Sequence, residues 1–441
     1  MLKTSERTGD LLDNWAAFLR SRSVDEPPSL RRCRQAAAEA FARLGYPLKK
    51  NEDWKYTNVS RLAQIVWNPA PPIERISIPD WEAIRTIIAN GRVVYRGGVG
   101  EWGDKVSIDD WDRACKMHAN FLEEHWNQVA RWSQHPFAAL NTACFQDAVI
   151  IRVKAGHEIN LPIHILMHHQ PSINTGQACF PRILIYLETG SRATVVESYQ
   201  GGDEASFTCG IVEIILERFA HLDYYKVQQE DEHNIHIVQT YIRLAQGSEL
   251  RAHIVSLGGG LVRNECDVQL TGEQGVCTLN GLYLAHGRQH VDNHTEIEHV
   301  APGCVSFELY KGILSDRAHG VFHGKIYVHP GAQKTDAKQT NQALLLSDDA
   351  EVDSKPQLEI YADDVRCTHG ATVGQLDDRQ LFYLRTRGIS AEQARNLLIY
   401  GFAEEIISRI HVAPVRYQLE DLLLAQEGLP LESELRRVIL P

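Results

Sequence analysis

The chain has 441 residues, 44% of them hydrophobic and 23% charged, with 31 glycines and 17 prolines, a balance that belongs to a folded globular protein and excludes a collagen-like or disordered one. Lys and Arg number 45 against 57 Asp and Glu, a formal charge of −12, which is the wrong sign for a protein that coats nucleic-acid phosphates. Nine cysteines without a CxxC spacing form neither a readable disulfide framework nor a metal knuckle and suit a reducing cytoplasm. No apolar run reaches the roughly 18 residues of a membrane span, and Met1 to Ser23 has neither an apolar signal core nor a transit-peptide composition. A cytoplasmic chain without a membrane span is expected. Twenty histidines are more than core packing and one ordinary active site require.

In chain order, Leu11, Leu12, Trp15, Phe18 and Leu19, then Ala37, Ala40, Phe41 and Leu44, fall at helical spacing, with Pro27 and Pro28 between the runs and Gly45 after them. The segment Glu52-Asp53-Trp54-Lys55-Tyr56-Thr57 follows, then a loop marked by Pro69, Pro71 and Pro72 and a mixed stretch to about Leu140. Gly98-Val99-Gly100-Glu101-Trp102-Gly103 has the spacing of a dinucleotide fingerprint. That motif needs a helix N-terminus to hold pyrophosphate, and Asp104 to Ile108 reads as extended. Asp104 also occupies the place of a phosphate-loop lysine, so a turn without bound nucleotide is expected and any ATP chemistry belongs to a partner.

From Asp147 to about Thr372 the pattern becomes short alternating strands between Gly, Asp and Asn turns, as in Val149 to Val153, Arg182 to Leu187 and Leu250 to Val255. A Leu or Val followed three residues later by Gly recurs at Gly156, Gly190, Gly247, Gly303 and Gly331. Gly247, Gly275, Gly303 and Gly331 stand 28 apart, and Phe219 takes the glycine place after Leu216. A fixed period of this kind marks a solenoid, whose coils bury their apolar faces only by stacking. A mostly β protein with a parallel β-helix core is expected, a β-sandwich or barrel being the alternative. Helices return after Thr372: Asp378 to Arg387 ends at Gly388, and the capping box Ser390 to Gln393 opens a helix with the apolar stripe Ala394, Leu397, Leu398, Phe402, Ile406 and Ile410. A last helical piece runs from about Gln418 to Gln426. The organisation expected is a mainly helical N-terminal region over 1–138, a β-helix core over 139–374 and a helical C-terminal region over 375–441.

No Gly-x-Ser-x-Gly elbow or His-Glu-x-x-His pair occurs, and the doublets Asp348-Asp349, Asp363-Asp364 and Asp377-Asp378 are strand or turn neighbours rather than acid and base partners. On a strand His290, Asp292, His294, Glu296 and Glu298 share one face, so His290 and His294 are secondary metal candidates, with structural hydrogen bonding as the alternative. Cys367 and His369 also share a face when extended. Thiolate and imidazole are donors that iron, zinc and copper accept, but two donors cannot close a tetrahedral site.

The run His290 to Thr295, Leu309 to Gly312, Gly320 to Phe322, Gln333 to Ala337, Gln339 to Gln342, Ser354 to Ile360, Asp364 to Thr372 and Gln380 to Ile389 resembles the SufB/SufD family of iron–sulfur cluster assembly proteins, continuously over about 280 to 410. Glu52 to Thr57 and Phe137 to Thr142 also fit. Cys367-Thr-His-Gly-Ala-Thr372, with no cysteine between Leu344 and Ile360, is similar to the SufD branch rather than the SufB branch. The resemblance implies a right-handed β-helix, a non-catalytic subunit of a SufB, SufC and SufD scaffold complex, and a C-terminal region that docks the ATPase SufC through Leu397, Leu398, Phe402 and Ile406. It also implies a transient cluster or iron shared with SufB, for which the matching position is His369, with Cys367 beside it. An isolated chain that pairs with itself through the solenoid is compatible with this. The other readings open at this point are a β-helix polysaccharide lyase or hydrolase and a stand-alone histidine-rich metal-binding protein.

Overall fold

The computed structural model describes residues 11–12, 15–16, 26–71, 73, 76–170, 176–202 and 204–426. From Arg182 onward, consecutive strands alternate between two sheets, and each strand pairs in parallel with the strand two further along the chain. One sheet runs through Arg182–Leu187, Ser206–Leu216, Ile235–Leu244, Leu261–Leu270, His290–His299 and His319–Val328 to Glu351–Ile360. The other runs through Arg192–Gly201, His221–Gln229, Glu249–Ser256, Val276–Ala285, Val305–Leu314 and Asp336–Leu345 to Arg366–Gly374. This is the expected parallel β-solenoid.

Alternation within each strand sends every second side chain inward. In Asp336–Leu345 the inward residues Ala337, Gln339, Asn341 and Ala343 are all buried, while Lys338 between them is exposed. Inward side chains of successive coils then form files along the axis, such as Leu222, Leu250, Cys277, Ser306 and Ala337. The Ile, Leu and Val members, each worth about 1.5–3 kcal/mol on burial, join one core cluster that runs along the coils.

The corner between coils explains the recurrent glycine and corrects its exact period. A column of residues with left-handed backbone, Gly156, Gly190, Phe219, Gly247, Gln274, Gly303 and Lys334, carries one hydrogen bond from coil to coil, as from the Gly190 N–H to the Arg218 carbonyl at 2.8 Å and from the Phe219 N–H to the Gln246 carbonyl at 2.9 Å. Phe219 does hold the glycine place, at φ 60°. Gln274 and Lys334, not Gly275 and Gly331, occupy the later corners. The steps range from 27 residues (Gly247 to Gln274) to 34 (Gly156 to Gly190), because the turns absorb insertions while the strands keep register.

Among its described residues the N-terminal region carries strands as well as helices. The helices Pro28–Leu44, Trp111–Met117, Ala119–His125 and Pro136–Cys144 are joined by strands that extend the solenoid: Ile84–Ala89 pairs in parallel with Ile163–His169, and Val106–Asp110 pairs antiparallel with Ala148–Val153. Ile84–Ala89 is buried at every position, Arg85 and Thr86 included, as a strand covered on both faces is. The Gly98 to Gly103 motif forms a turn, with the short helix Gly100–Trp102, followed by the strand Val106–Asp110 instead of a phosphate-binding helix.

At the other end of the chain, the helices Ala391–Ile407 and Ala413–Gln426 fold back over the outer face of the second sheet, while the helix Asp378–Thr386 before them buries none of its residues. The capping box at Ser390 and Gln393 is formed, Gly388 has φ 86°, and Gly428 lies outside the described residues. Among the described residues no helix is long and apolar enough to cross a membrane.

Two glycines separate the roles of corner and close approach. Gly190→Ala, with open space around its added Cβ but φ 69°, is expected to lower stability by about 1 kcal/mol. Gly272→Ala, whose Cβ would stand 2.0 Å from the Gln246 backbone nitrogen, is expected to cost at least about 2–3 kcal/mol, as overpacking does. Urea denaturation of the two variants checks the order.

Candidate functional site

The solenoid ends in a coil that nothing within the described chain covers. Glu351–Ile360 and Arg366–Gly374 are the outermost strands of their sheets, and each leaves a row of backbone donors and acceptors without a strand partner. Register places Cys367 on Ala337 and His369 on Gln339. Both therefore occupy inward-facing positions that would be core if another coil followed. Instead His369 is exposed and Cys367 half-buried, the latter packed beside Ile326, Val328, Ala332 and Ala337. Burial, with the Asp336 carboxylate adding to it, pushes the Cys367 thiol above its ordinary pKa, so the free chain presents a neutral thiol. Of the nine cysteines, only Cys33 and Cys367 escape full burial.

Beneath His369 the same file continues through Gln339 to Glu308. Gln339 Nε2 donates to Glu308 Oε2 at 2.7 Å, and Gly324 makes room for that amide, since a Cβ there would stand 2.2 Å from Gln339 Nε2. Glu308 is fully buried, and desolvation raises its pKa to about 7 against its hydrogen bonds from Thr295 and Gln339. Neither residue stood out in the sequence. The signal was there as a step of about one coil from Glu308 to Gln339 and from Gln339 to His369, legible only once coil lengths are known.

Among the described residues no group of three or more His, Cys, Asp and Glu side chains is placed to hold a metal ion. Cys367 and His369 thus offer two donors at an uncovered end, and closing a coordination shell there takes further donors beyond these two.

His290, Asp292, His294, Glu296 and Glu298 lie on the outer face of one strand, as their alternation predicts, and the next strand sets His319 and His323 in register with His290 and His294. These side chains are engaged in hydrogen bonds and ion pairs with neighbouring elements. His290 Nε2 meets Thr57 Oγ1 at 2.8 Å, and that hydroxyl donates to Asp292 at 2.5 Å. His294 Nε2 lies 3.0 Å from Asp292 Oδ1, His319 Nε2 lies 2.8 Å from Asp353, and His329 Nε2 lies 2.7 Å from Glu298. Asp292 also binds Arg263, whose guanidinium reaches Glu265 at 2.7 Å and stacks 3.8 Å over the Trp54 ring. Burial lowers the pKa of His290 to about 4, so at neutral pH it is an uncharged partner in this network. The network clamps the Glu52 to Thr57 segment onto the sheet, with Glu52 reaching Lys355 at 2.6 Å.

The C-terminal residues proposed for docking divide into two groups. Ile406 is fully buried with Ile399, Ala403 and Ile407 against the sheet residues Val255, Leu282 and Ile313, so it belongs to the internal packing. Leu397, Leu398 and Phe402 are half-buried, and Lys311 Nζ sits 4.5 Å from the Phe402 ring centroid while pairing with Glu405 at 2.5 Å.

Comparison with known proteins agrees with this architecture. A family model described as the SUF system FeS cluster assembly, SufBD core domain, matches residues 169–402, and one for the SufBD protein N-terminal region matches 6–165. The chain belongs to the SufBD family of iron–sulfur cluster assembly proteins. It is 32% identical over 425 residues to the iron–sulfur cluster assembly protein SufD of Escherichia coli (strain K12), covering 93% of this chain and 96% of that one. It is 27% identical over 319 residues to SufD of Bacillus subtilis (strain 168), covering 70% and 71%. Protein ABCI7, chloroplastic, of Arabidopsis thaliana is 29% identical over 405 residues, covering 88% and 84%. Within the family the chain is SufD-like, an iron–sulfur cluster assembly subunit.

The buried carboxyl file carries a pH signature. Glu308 releases its proton near pH 7 in the fold and near its ordinary 4.5 when unfolded. Between those values only the unfolded chain is ionised there, so stability falls as pH rises from about 4.5 to 7, by roughly 3 kcal/mol for this group. Asp267, raised to about 7 by burial, acts in the same direction. Glu308→Gln is expected to remove its share of the slope and leave that of Asp267, measured by urea denaturation from pH 5 to 8.

Proposed function

We propose that this chain is a non-catalytic SufD-like subunit that works with SufB and SufC in a cytoplasmic scaffold complex, and that a nascent iron–sulfur cluster is held where the open end of its solenoid meets SufB. The observation that carries this reading is the uncovered inward row at Cys367 and His369. A coil built to be stacked upon ends in exposed strand edges and two metal-competent donors, and a second β-helical chain supplies both the missing cover and the missing ligands. His369 donates an imidazole nitrogen, and Cys367 acts as a thiolate once a metal displaces its proton. Iron and sulfide are cargo here. ATP hydrolysis belongs to SufC, consistent with the turn at Gly98 to Gly103, and Leu397, Leu398 and Phe402 are the residues of the C-terminal helix left for docking it. Ile406 supports that helix from beneath.

The experiment is cluster formation by the reconstituted SufB, SufC and SufD-like complex. His369→Ala removes an exposed side chain, so the variant should keep its stability within about 0.5 kcal/mol and still co-elute with both partners, while cluster assembly falls at least tenfold. Full assembly by the folded variant contradicts the site. Failure of the unmodified chain to co-elute with SufB and SufC contradicts the complex.

A further inference from the structure

A second feature lies away from the open end, where the N-terminal region meets the solenoid. A cleft of about 500 Å³ opens between the segment from Lys49 to Trp67 and the outer face of the first sheet. That size suits a small organic ligand, and junctions between structural units are common places for such sites. Its lining is mixed: the apolar side chains of Tyr56, Ile65 and Leu261 stand with the exposed cations Lys49, Arg61 and Arg288 and with His233, His290 and His319. Glu232 is the one carboxylate among the described lining residues. None of the three cations forms an ion pair among the described residues, although the chain carries a net charge of −12.

The neighbouring cleft on the same sheet shows what ordinary neutralisation looks like in this protein. There Arg263 pairs with Glu265 and Asp292, Lys325 with Glu359 at 3.3 Å and Lys355 with Glu52 at 2.6 Å. Three unpaired cations that share a cleft with a single carboxylate offer a place for an anion from outside, and the planar fork of an arginine fits phosphate oxygens two at a time.

We propose that this cleft binds a phosphorylated small molecule with a flat apolar body, the ring against Tyr56, Ile65 and Leu261 and the phosphate between Arg61, Arg288 and Lys49. The site is independent of Cys367 and His369. The three cations and the apolar lining residues come from both sides of the junction, so an occupied cleft ties the N-terminal segment to the coils bearing Leu261 and Arg288.

Titration of the full-length chain with 1-naphthyl phosphate, followed by the probe's own fluorescence, tests this. Saturable binding of one probe per chain is expected, at least tenfold tighter than either inorganic phosphate or 1-naphthol in competition, and weakening as salt is raised. Arg61→Gln with Arg288→Gln should reduce affinity at least tenfold, and Ile65→Gln should reduce it without changing the salt dependence. Lys325→Gln, in the neighbouring cleft, should leave it unchanged. Absence of saturable binding, equal affinity for inorganic phosphate, or undiminished binding by the double arginine variant would overturn the proposal.

Discussion

A solenoid coil hides its inner face only against the next coil, and every later property of this chain follows from that dependence. Inward files such as Leu222, Leu250, Cys277, Ser306 and Ala337 are continuous because the strands stay in register, even where the corners take in extra residues. The last member of each file has no successor. Cys367 and His369 are therefore core positions by geometry and surface positions by circumstance. This is how a fold made of repeated, self-covering units produces one place that only another chain can cover.

Much of the two outer faces is covered from within. The first sheet is covered by the N-terminal region, fastened by Arg182 and Glu213, whose side chains are both 0% exposed. Glu213 also accepts the N–H groups of Asn127, Val129 and Ala130 at 3.0–3.2 Å. A buried carboxylate is tolerated there because a guanidinium and three backbone donors replace its water. Removing one partner of such a pair costs about 3–5 kcal/mol. The second sheet is covered by the C-terminal helices. At the opposite edges the sheets end in the antiparallel strands Arg92–Gly97 and Val106–Asp110, whereas at the open end the parallel stacking itself can be continued.

Much of this was legible in the sequence, for identifiable reasons. Strand alternation showed the two-residue face shared by His290, Asp292 and His294, and the recurrent corner phrase showed the coils, since Phe219 takes up the left-handed backbone of its glycine counterparts. The exact period of 28 was partly coincidence, because Gln274 and Lys334 make turns that no glycine marks. The helix from Ala391 was readable from its cap, but its buried face was not fully so. Ile399, Ala403 and Ile407 pack inward alongside Ile406, while Leu397, Leu398 and Phe402 stand at the margin, a distinction that depends on where the helix crosses the sheet. Carboxylates and a hydroxyl engage most of the histidine row, partners that the alternation of the strand alone does not name. Glu308 and Gln339 escaped notice because an inward file is visible only after the strands are aligned.

Hydrogen exchange of this chain, alone and mixed with SufB and SufC, addresses the central claim most directly. The account predicts that backbone amides of Glu351–Ile360 and Arg366–Gly374 exchange rapidly in the isolated chain, unless it pairs with itself, and become protected in the complex, while strands deep in the solenoid such as Ile235–Leu244 are unchanged. Protection gained elsewhere on the solenoid, with those two terminal strands still exchanging freely in the complex, would contradict it.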